Sequence, residues 1–299
     1  MSSQTQIGTR IANIAKAFRK EKVGLLYQVW IYIFLVGIVT TFAIPLLSIL
    51  SKSAMSPADY VDPLVNWIPT SIHLENYTSA WQALSMLQAA RYSLMLTVVG
   101  TFGQVISCAI AGYGFARFRF PGRNILFILC MLVLGVAPHL ISIPLIVSYR
   151  TIGLIGTFWP MYLPAFFTQG IRGPLFLLVF VQMFRNLPFE LEDAARVDGA
   201  GEIRTFWNIM LPMAKPAVMV TAIMSMVWYW NDAYYSDLFR ISMRARPLAL
   251  RFEQLLRQIY GVEGMFMAAA IYMMVPPLVF YAIVQKFFVQ SIDRTGLVG

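Results

Sequence analysis

The chain has 299 residues, of which 59% are hydrophobic and only 12% are charged, and it carries a net charge of +9. A soluble domain would have about 25% charged residues and under half apolar ones, so the composition excludes an ordinary soluble protein. The positive charge does not indicate nucleic acid binding either, because no basic face with interleaved aromatic residues lies outside the loops between apolar blocks.

Six apolar blocks follow one another along the chain, and each exceeds or approaches the roughly 20 residues needed to cross a bilayer. Five of them contain no Lys, Arg, Asp or Glu, and the block 151–184 contains only Arg172. In lipid these blocks must be helices, because only a helix satisfies its backbone hydrogen bonds within one segment. The predicted spans are about 25–50, 92–116, 125–148, 158–184, 213–231 and 265–285.

The first block is too long for a signal-peptide core of about 7–15 residues, so we interpret it as a retained span. The sequence thus predicts an all-α membrane protein with six transmembrane helices: a basic lead-in, 1–22, and a single membrane domain, 23–299. Cys108 and Cys130 lie inside spans and are interpreted as small buried hydrophobic residues, without a disulfide or a metal.

The distribution of basic residues gives the orientation, because cytoplasmic loops carry an excess of Lys and Arg. With the N-terminus inside, segments 1–22, 117–124, 185–215 and 286–299 hold 14 of the 23 basic residues. We therefore predict that both termini are cytoplasmic, as is the segment 185–212 before the fifth span.

Within that segment, Leu187–Pro212, "LPFELEDAARVDGAGEIRTFWNIMLP", is polar although apolar blocks flank it; we call it the polar segment. Pro188 suits the first turn of a helix, acidic residues follow it, and Gly199 is a candidate C-terminal cap. A second helix is predicted to end at Pro212 and to carry an apolar stripe at helical spacing. The stripe consists of Ile203, Phe206, Trp207 and Met210. Periodicity alone fits packing against the inner ends of the spans and a docking surface equally well.

The spacing in this segment resembles the signature E-A-A-x3-G-x9-I-x-L-P of ABC-importer permease subunits. The positions in register are Asp193, Ala194, Ala195, Gly199, Ile209, Leu211 and Pro212. Asp193 replaces the Glu of the signature, which keeps the charge but shortens the reach. In such proteins the signature forms a coupling helix in a groove of a cytoplasmic ATPase. The resemblance implies that role for these residues, and we add Phe206 and Trp207 as packing residues of the same contact.

Other stretches resemble the carbohydrate-uptake branch of that family, the MalG-like permeases: "WIPTSIHLENY", "IPLIVSYRTIGLIGTFWPMYLP", "WYWNDAYY" and "FFVQSIDRTGLVG". The resemblance covers nearly the whole chain and implies a multi-pass protein of the bacterial inner membrane. It also implies a complex with a sister permease, two ATP-binding-cassette ATPase subunits and an extracytoplasmic solute-binding protein. ATP and Mg would then be bound by the ATPases, and no cofactor is expected on this chain.

The residues do not favour an enzyme. None of the 19 glycines is followed by Lys, so the phosphate-binding loop G-x4-G-K-[ST] is missing. The only two histidines, His73 and His139, are predicted outside and within the membrane respectively, which excludes a His-based zinc site.

The candidates for a substrate path begin with Arg172, since an intramembrane charge usually lines a cavity or has a partner. It either pairs with a helix C-terminus or a neighbouring subunit's carboxylate, or it faces the path and attracts an anionic ligand. Gly170, Gly173 and Pro174 around it favour a broken helix. His139, after Pro138, fits a hydrogen-bonded kink or a ligand contact.

An aromatic cluster at the outer end of the fifth span fits an interfacial belt or a surface that stacks on sugars. Its members are Trp228, Tyr229, Trp230, Tyr234 and Tyr235, and Asn231 joins them as a path candidate.

Two functions stay open on the sequence. The first is the permease subunit of an ATP-driven carbohydrate importer, whose substrate would be a sugar or an oligosaccharide, including an acidic one such as alginate. The second is an autonomous secondary transporter or channel for a small polar solute. The spans contain no Asp or Glu, which disfavours ion coupling.

Overall fold

A computed structural model describes residues 3–239, 241, 245–257 and 263–295, with side chains from residue 27 to residue 285 of those. No strand occurs among these residues, and the predicted all-α fold is confirmed. The side chains of the predicted cytoplasmic ends, 1–22 and 286–299, lie outside the described part.

The chain forms two compact units, residues 1–73 and 74–299. In the first unit, α1 (Ser3–Ser53) is uninterrupted, so the predicted lead-in and the first span belong to one helix. The stretch long and apolar enough to cross a membrane is Tyr27–Ser53. A short helix, α2 (Pro57–Val61), follows and begins with a capping box of Ser56 and Asp59.

The second unit contains the remaining helices. In chain order they are α3 (Glu75–Leu84), α4 (Met86–Arg117), α5 (Arg123–Leu132) with a 3-10 turn (Val133–Gly135), α6 (Pro138–Thr151), α7 (Trp159–Phe166), α8 (Gly173–Asn186), α9 (Glu190–Val197), α10 (Glu202–Thr205) with a π-helical turn (Phe206–Met210), α11 (Leu211–Met213), α12 (Lys215–Trp230), α13 (Tyr234–Leu238), α14 (Leu248–Leu256) and α15 (Glu263–Thr295).

Helix α4 lies at the centre of this unit, where it packs against α7, α8 and α12. The close approach depends on small residues, as is usual between membrane helices. A Cβ on Gly112 would lie 2.5 Å from the Cβ of Phe180, and one on Gly100 would lie 2.8 Å from the Tyr229 ring. Cys108 of α4 is buried, as predicted, whereas Cys130 is only half-buried.

The second and sixth predicted spans coincide with single helices, Met86–Arg117 and Glu263–Gln285, that are long and apolar enough to cross a membrane. The third predicted span, 125–148, does not correspond to one straight helix. Two helices, Arg123–Gly135 and Pro138–Thr151, meet there at 108°. The physical reason is Pro138, which opens the second helix and forces Ala137 before it into an extended conformation.

The fourth and fifth predicted spans correspond to broken helices. Between α7 and α8, residues 167–172 are not helical, so the predicted break around Arg172 is confirmed. The fifth span is α12, which bends by 75° from the helical turns before it. Within the described residues, three single helices are long and apolar enough to cross a membrane, and up to six spans result if each bent pair is one span.

Candidate functional site

The first helix of the polar segment, α9, ends as the sequence predicts. The Gly199 N–H donates to the Arg196 carbonyl at 3.0 Å, and the Ala200 N–H donates to the Ala195 carbonyl at 2.9 Å. This is a Schellman arrangement, and Gly199 has the φ of +75° that it requires. The predicted cap is confirmed. Pro188 lies just before α9 and not in its first turn, since α9 begins at Glu190.

The second arm of the polar segment continues one residue past its predicted end. Its middle is a π-helical turn, in which the Leu211 N–H donates to the Phe206 carbonyl five residues earlier. Pro212 follows as the second residue of α11, and the helix ends at Met213.

The apolar stripe of this arm divides between two surroundings. Phe206 and Met210 are buried, and the Phe206 ring lies 5.2 Å from the ring of Tyr113 on α4. Ile203 is 77% exposed and Trp207 is 45% exposed. Phe206 and Met210 therefore pack against the rest of the chain, Trp207 is partly covered beside the Phe206 ring, and Ile203 is open to a partner.

A buried ion pair holds the first arm to α4. The Arg117 Nε lies 3.3 Å from the Glu192 Oε1, and their side chains are only 1% and 6% exposed. Neither atom has hydrogen-bond geometry, so this is a charge contact. The Arg117 Nη2 also donates to the Leu187 carbonyl at 2.6 Å, and the guanidinium lies 4.2 Å from the centre of the Phe189 ring.

The opposite face of the polar segment is exposed. Arg196 bridges its two arms there, 3.4 Å from Asp193 and 3.0 Å from Glu202, and the hydrogen bond to Glu202 raises the pKa of Arg196. Apolar side chains lie beside these charges, since Val197 and Ile203 are largely exposed. The face therefore combines charge with uncovered apolar surface.

Most positions of the sequence signature are accessible. The exposed ones are Asp193, Ala194, Gly199 and Pro212, while Ile209 and Leu211 are half-buried and Ala195 is buried.

The break around Arg172 is built by side chains of α4. The Ser107 hydroxyl donates to the Ala165 carbonyl at 2.7 Å and accepts from the Thr168 N–H at 3.3 Å. Thr168 and Arg172 have φ values of 63° and 57°, which is uncommon for residues other than glycine. A Cβ on Gly170 would lie 2.3 Å from a side-chain oxygen, so only glycine fits there.

Arg172 immediately precedes the N-terminus of α8. Within the described residues it forms no ion pair, and its guanidinium lies 5.9 Å from the centre of the Trp228 ring. Burial raises the pKa of the nearby Tyr235 phenol, and the charge of Arg172 offsets part of that rise. An exposed cation therefore lies among aromatic side chains.

The members of the predicted aromatic cluster lie in different surroundings. Tyr234 packs against His139, with ring centres 4.6 Å apart. Tyr229 and Trp230 are only 1% and 3% exposed, so in this structure neither belongs to an interfacial belt or offers a ring face to a sugar. They are buried because Tyr229 packs on α4 and the Trp230 indole donates to the Met273 carbonyl at 3.1 Å. The Asn231 amide donates to the Val227 carbonyl of its own helix.

Residues 103–294, which include the whole polar segment, match the family described as "Binding-protein-dependent transport system inner membrane component". The chain belongs to this family. It is accordingly a multi-pass protein of the inner membrane, and its part in such a system is that of the membrane component.

Two bacterial permease proteins are similar to this chain over most of their length. The chain is 29% identical over 279 residues to the probable ABC transporter permease protein YurM of Bacillus subtilis, covering 91% of this chain and 88% of the relative. It is 25% identical to the melibiose/raffinose/stachyose import permease protein MelC of the same organism, covering 86% and 91%.

A solved structure has the same fold. It is that of a bacterial ABC transporter involved in the import of the acidic polysaccharide alginate, with a TM-score of 0.72 at 20% identity. The similarity covers 86% of this chain and 95% of that one.

For this inner membrane component, sequence reasoning missed the residues on α4 that contact the polar segment. Arg117 was counted only as a basic residue of a cytoplasmic turn, and Glu192 only as an acidic residue near a helix N-terminus. A signal did exist, because Arg117 is the last residue of a long apolar helix, where a polar partner is needed if the side chain is buried.

Proposed function

We propose that the chain forms part of the translocation path of an ATP-driven carbohydrate importer and that its polar segment docks on a cytoplasmic ATPase. In this proposal a sister permease completes the path, and two ATPase subunits bind ATP and Mg. An extracytoplasmic binding protein delivers the substrate. Both termini and the polar segment are cytoplasmic, as the distribution of basic residues favours.

The observation that carries the docking proposal is the two-sided character of the polar segment. Its inner side is fixed to α4 through Arg117 and Phe206, both of them buried. Its outer side presents Asp193 with the exposed apolar residues Val197 and Ile203. Exposed apolar surface rimmed by charge is typical of a contact with a second protein.

A carbohydrate substrate is supported by the names of two similar proteins, one an importer of melibiose, raffinose and stachyose and the other of alginate. Within that class, Arg172 favours an acidic oligosaccharide. Its guanidinium is exposed and forms no ion pair in the described part of the chain. A guanidinium binds carboxylates in bidentate fashion, whereas a neutral sugar gains less from it.

Reconstitution tests this proposal. The chain is co-expressed with candidate ATPase and permease partners, purified through a tag on this chain and placed in liposomes with the binding protein. We expect the ATPase to co-purify and labelled oligosaccharide to enter only when ATP is supplied on the side of the ATPase. Uptake by this chain alone, without ATP, would instead indicate an autonomous transporter.

A further inference from the structure

Helix α4 contacts both regions that the proposed function requires to move together. At its cytoplasmic end it meets the polar segment, and about three turns earlier it meets the break that carries Arg172. In between, it packs on α8 and α12 along its length.

At the cytoplasmic end, one side chain of α4 meets each arm of the polar segment. Arg117 contacts the first arm through the Glu192 carboxylate, the Leu187 carbonyl and the Phe189 ring. Tyr113, one turn earlier, contacts the second arm, since its ring packs on Phe206 and its hydroxyl lies 3.5 Å from the Glu202 carboxylate. The two arms are thus attached to one rigid helix.

About three turns before Arg117, the same helix supports the non-helical stretch 167–172. Ser107 bonds the backbone on both sides of its start, at Ala165 and Thr168. The Cys108 thiol donates to the Gly173 carbonyl at 3.6 Å, where α8 begins. Ser107 and Arg117 are ten residues apart on the helix, which corresponds to about 15 Å along the helix axis.

We infer that Arg117 is a positioning residue that locks the polar segment to α4, so that a displacement of the segment by the ATPase moves the break around Arg172. This inference rests on the proposed function and adds to it the residue through which the movement passes.

The chemistry of the Arg117 contacts suits positioning better than stabilisation. Part of the guanidinium, Nε and Nη1, lacks a hydrogen-bond partner, and the facing Glu192 Oε1 does too. Buried ion pairs of this kind add little stability, and replacing both partners by apolar residues of similar size is often neutral or stabilising. The same contacts do fix the orientation of the polar segment on α4, because the planar guanidinium meets a carboxylate, a carbonyl and a ring at once. A lysine ammonium does not reproduce this arrangement.

The test compares three variants in the reconstituted full complex. Arg117→Met with Glu192→Met removes the lock without leaving a buried charge, and Arg117→Lys keeps the charge but loses the planar fork. Arg257→Met with Glu253→Met is the matched control, because that ion pair is exposed at the C-terminal end of α14. ATP hydrolysis, stimulated by the loaded binding protein, and uptake of labelled oligosaccharide are measured on the same liposomes.

We expect the Met–Met variant to retain the ATPase and its hydrolysis while oligosaccharide moved per ATP falls about tenfold, with a smaller fall for Arg117→Lys and none for the control. Unchanged uptake per ATP in the Met–Met variant would overturn the inference. If that variant does not assemble, Arg117→Lys decides alone, and loss of assembly in both variants also overturns it. A wild-type complex without ATP-driven uptake refutes the proposed function instead, whatever the variants do.

Discussion

Gly199 is the position where a single substitution tests the geometry of the polar segment most cleanly. It has a φ of +75°, and a Cβ added there would meet nothing within 4 Å. A side chain at this position is therefore opposed by backbone strain alone, about 1–2 kcal/mol for an L residue in the left-handed region. Since about 1.4 kcal/mol corresponds to a factor of ten in a population ratio, Gly199→Val should shift the ratio of native to displaced second arm by roughly tenfold toward the displaced arrangement.

The matched control is Gly201→Ser. Gly201 also has open space around it but a φ of −76°, and serine is a favoured residue at its position before α10. In liposomes, we expect Gly199→Val to keep ATP hydrolysis and to lose most uptake, while Gly201→Ser behaves like the wild type. Gly199→Asn should recover part of the uptake, because asparagine tolerates the left-handed region. Full uptake and substrate-stimulated hydrolysis in Gly199→Val would refute this reasoning.

Three further predictions concern packing and charge. Phe206→Ala removes a buried ring and should cost on the order of 3–5 kcal/mol of stability, so that the ATPase washes off during purification. Trp207 is half-exposed, and Trp207→Ala should therefore weaken ATPase retention less. If both variants retain as much ATPase as the wild type, neither ring contributes to the contact. Arg172→Gln should lower uptake of an acidic oligosaccharide and leave assembly and basal hydrolysis intact, and a variant that fails to assemble would assign Arg172 a structural role. Gly112→Ala should overpack the contact with Phe180 and lower the free energy of unfolding of the purified subunit by about 1–3 kcal/mol. Gly114 has open space around it, so Gly114→Ala should not lower it. Equal melting temperatures for the two variants would contradict the close helix packing.

Much of the fold was predictable because lipid leaves few alternatives. Apolar blocks without charge must be helices in a membrane, and three of the six predicted spans correspond to single helices of the right length. Local chemistry was equally informative at Gly199, where the cap follows from conformational freedom, and around Arg172, where glycine and proline interrupt the helix.

The remaining features depend on contacts between distant parts of the chain, which a single sequence does not reveal. Hydropathy predicts 125–148 as one span because an apolar composition carries no information on the 108° change of direction at Pro138. Tyr229 and Trp230 looked like interfacial residues, but their burial depends on α4 and α15. The pairing of Arg117 with Glu192 joins residues 75 positions apart.

The central claim is that the exposed face of the polar segment contacts a cytoplasmic ATPase, and site-specific photo-crosslinking measures that contact directly. A photoreactive residue replaces Ile203, on that face, and in a control it replaces Ile128, which is also exposed but lies on α5. In a transport-competent complex, we predict a covalent adduct with the ATPase subunit from position 203 and none from position 128. A complex that transports but gives no ATPase adduct from position 203 would contradict the account.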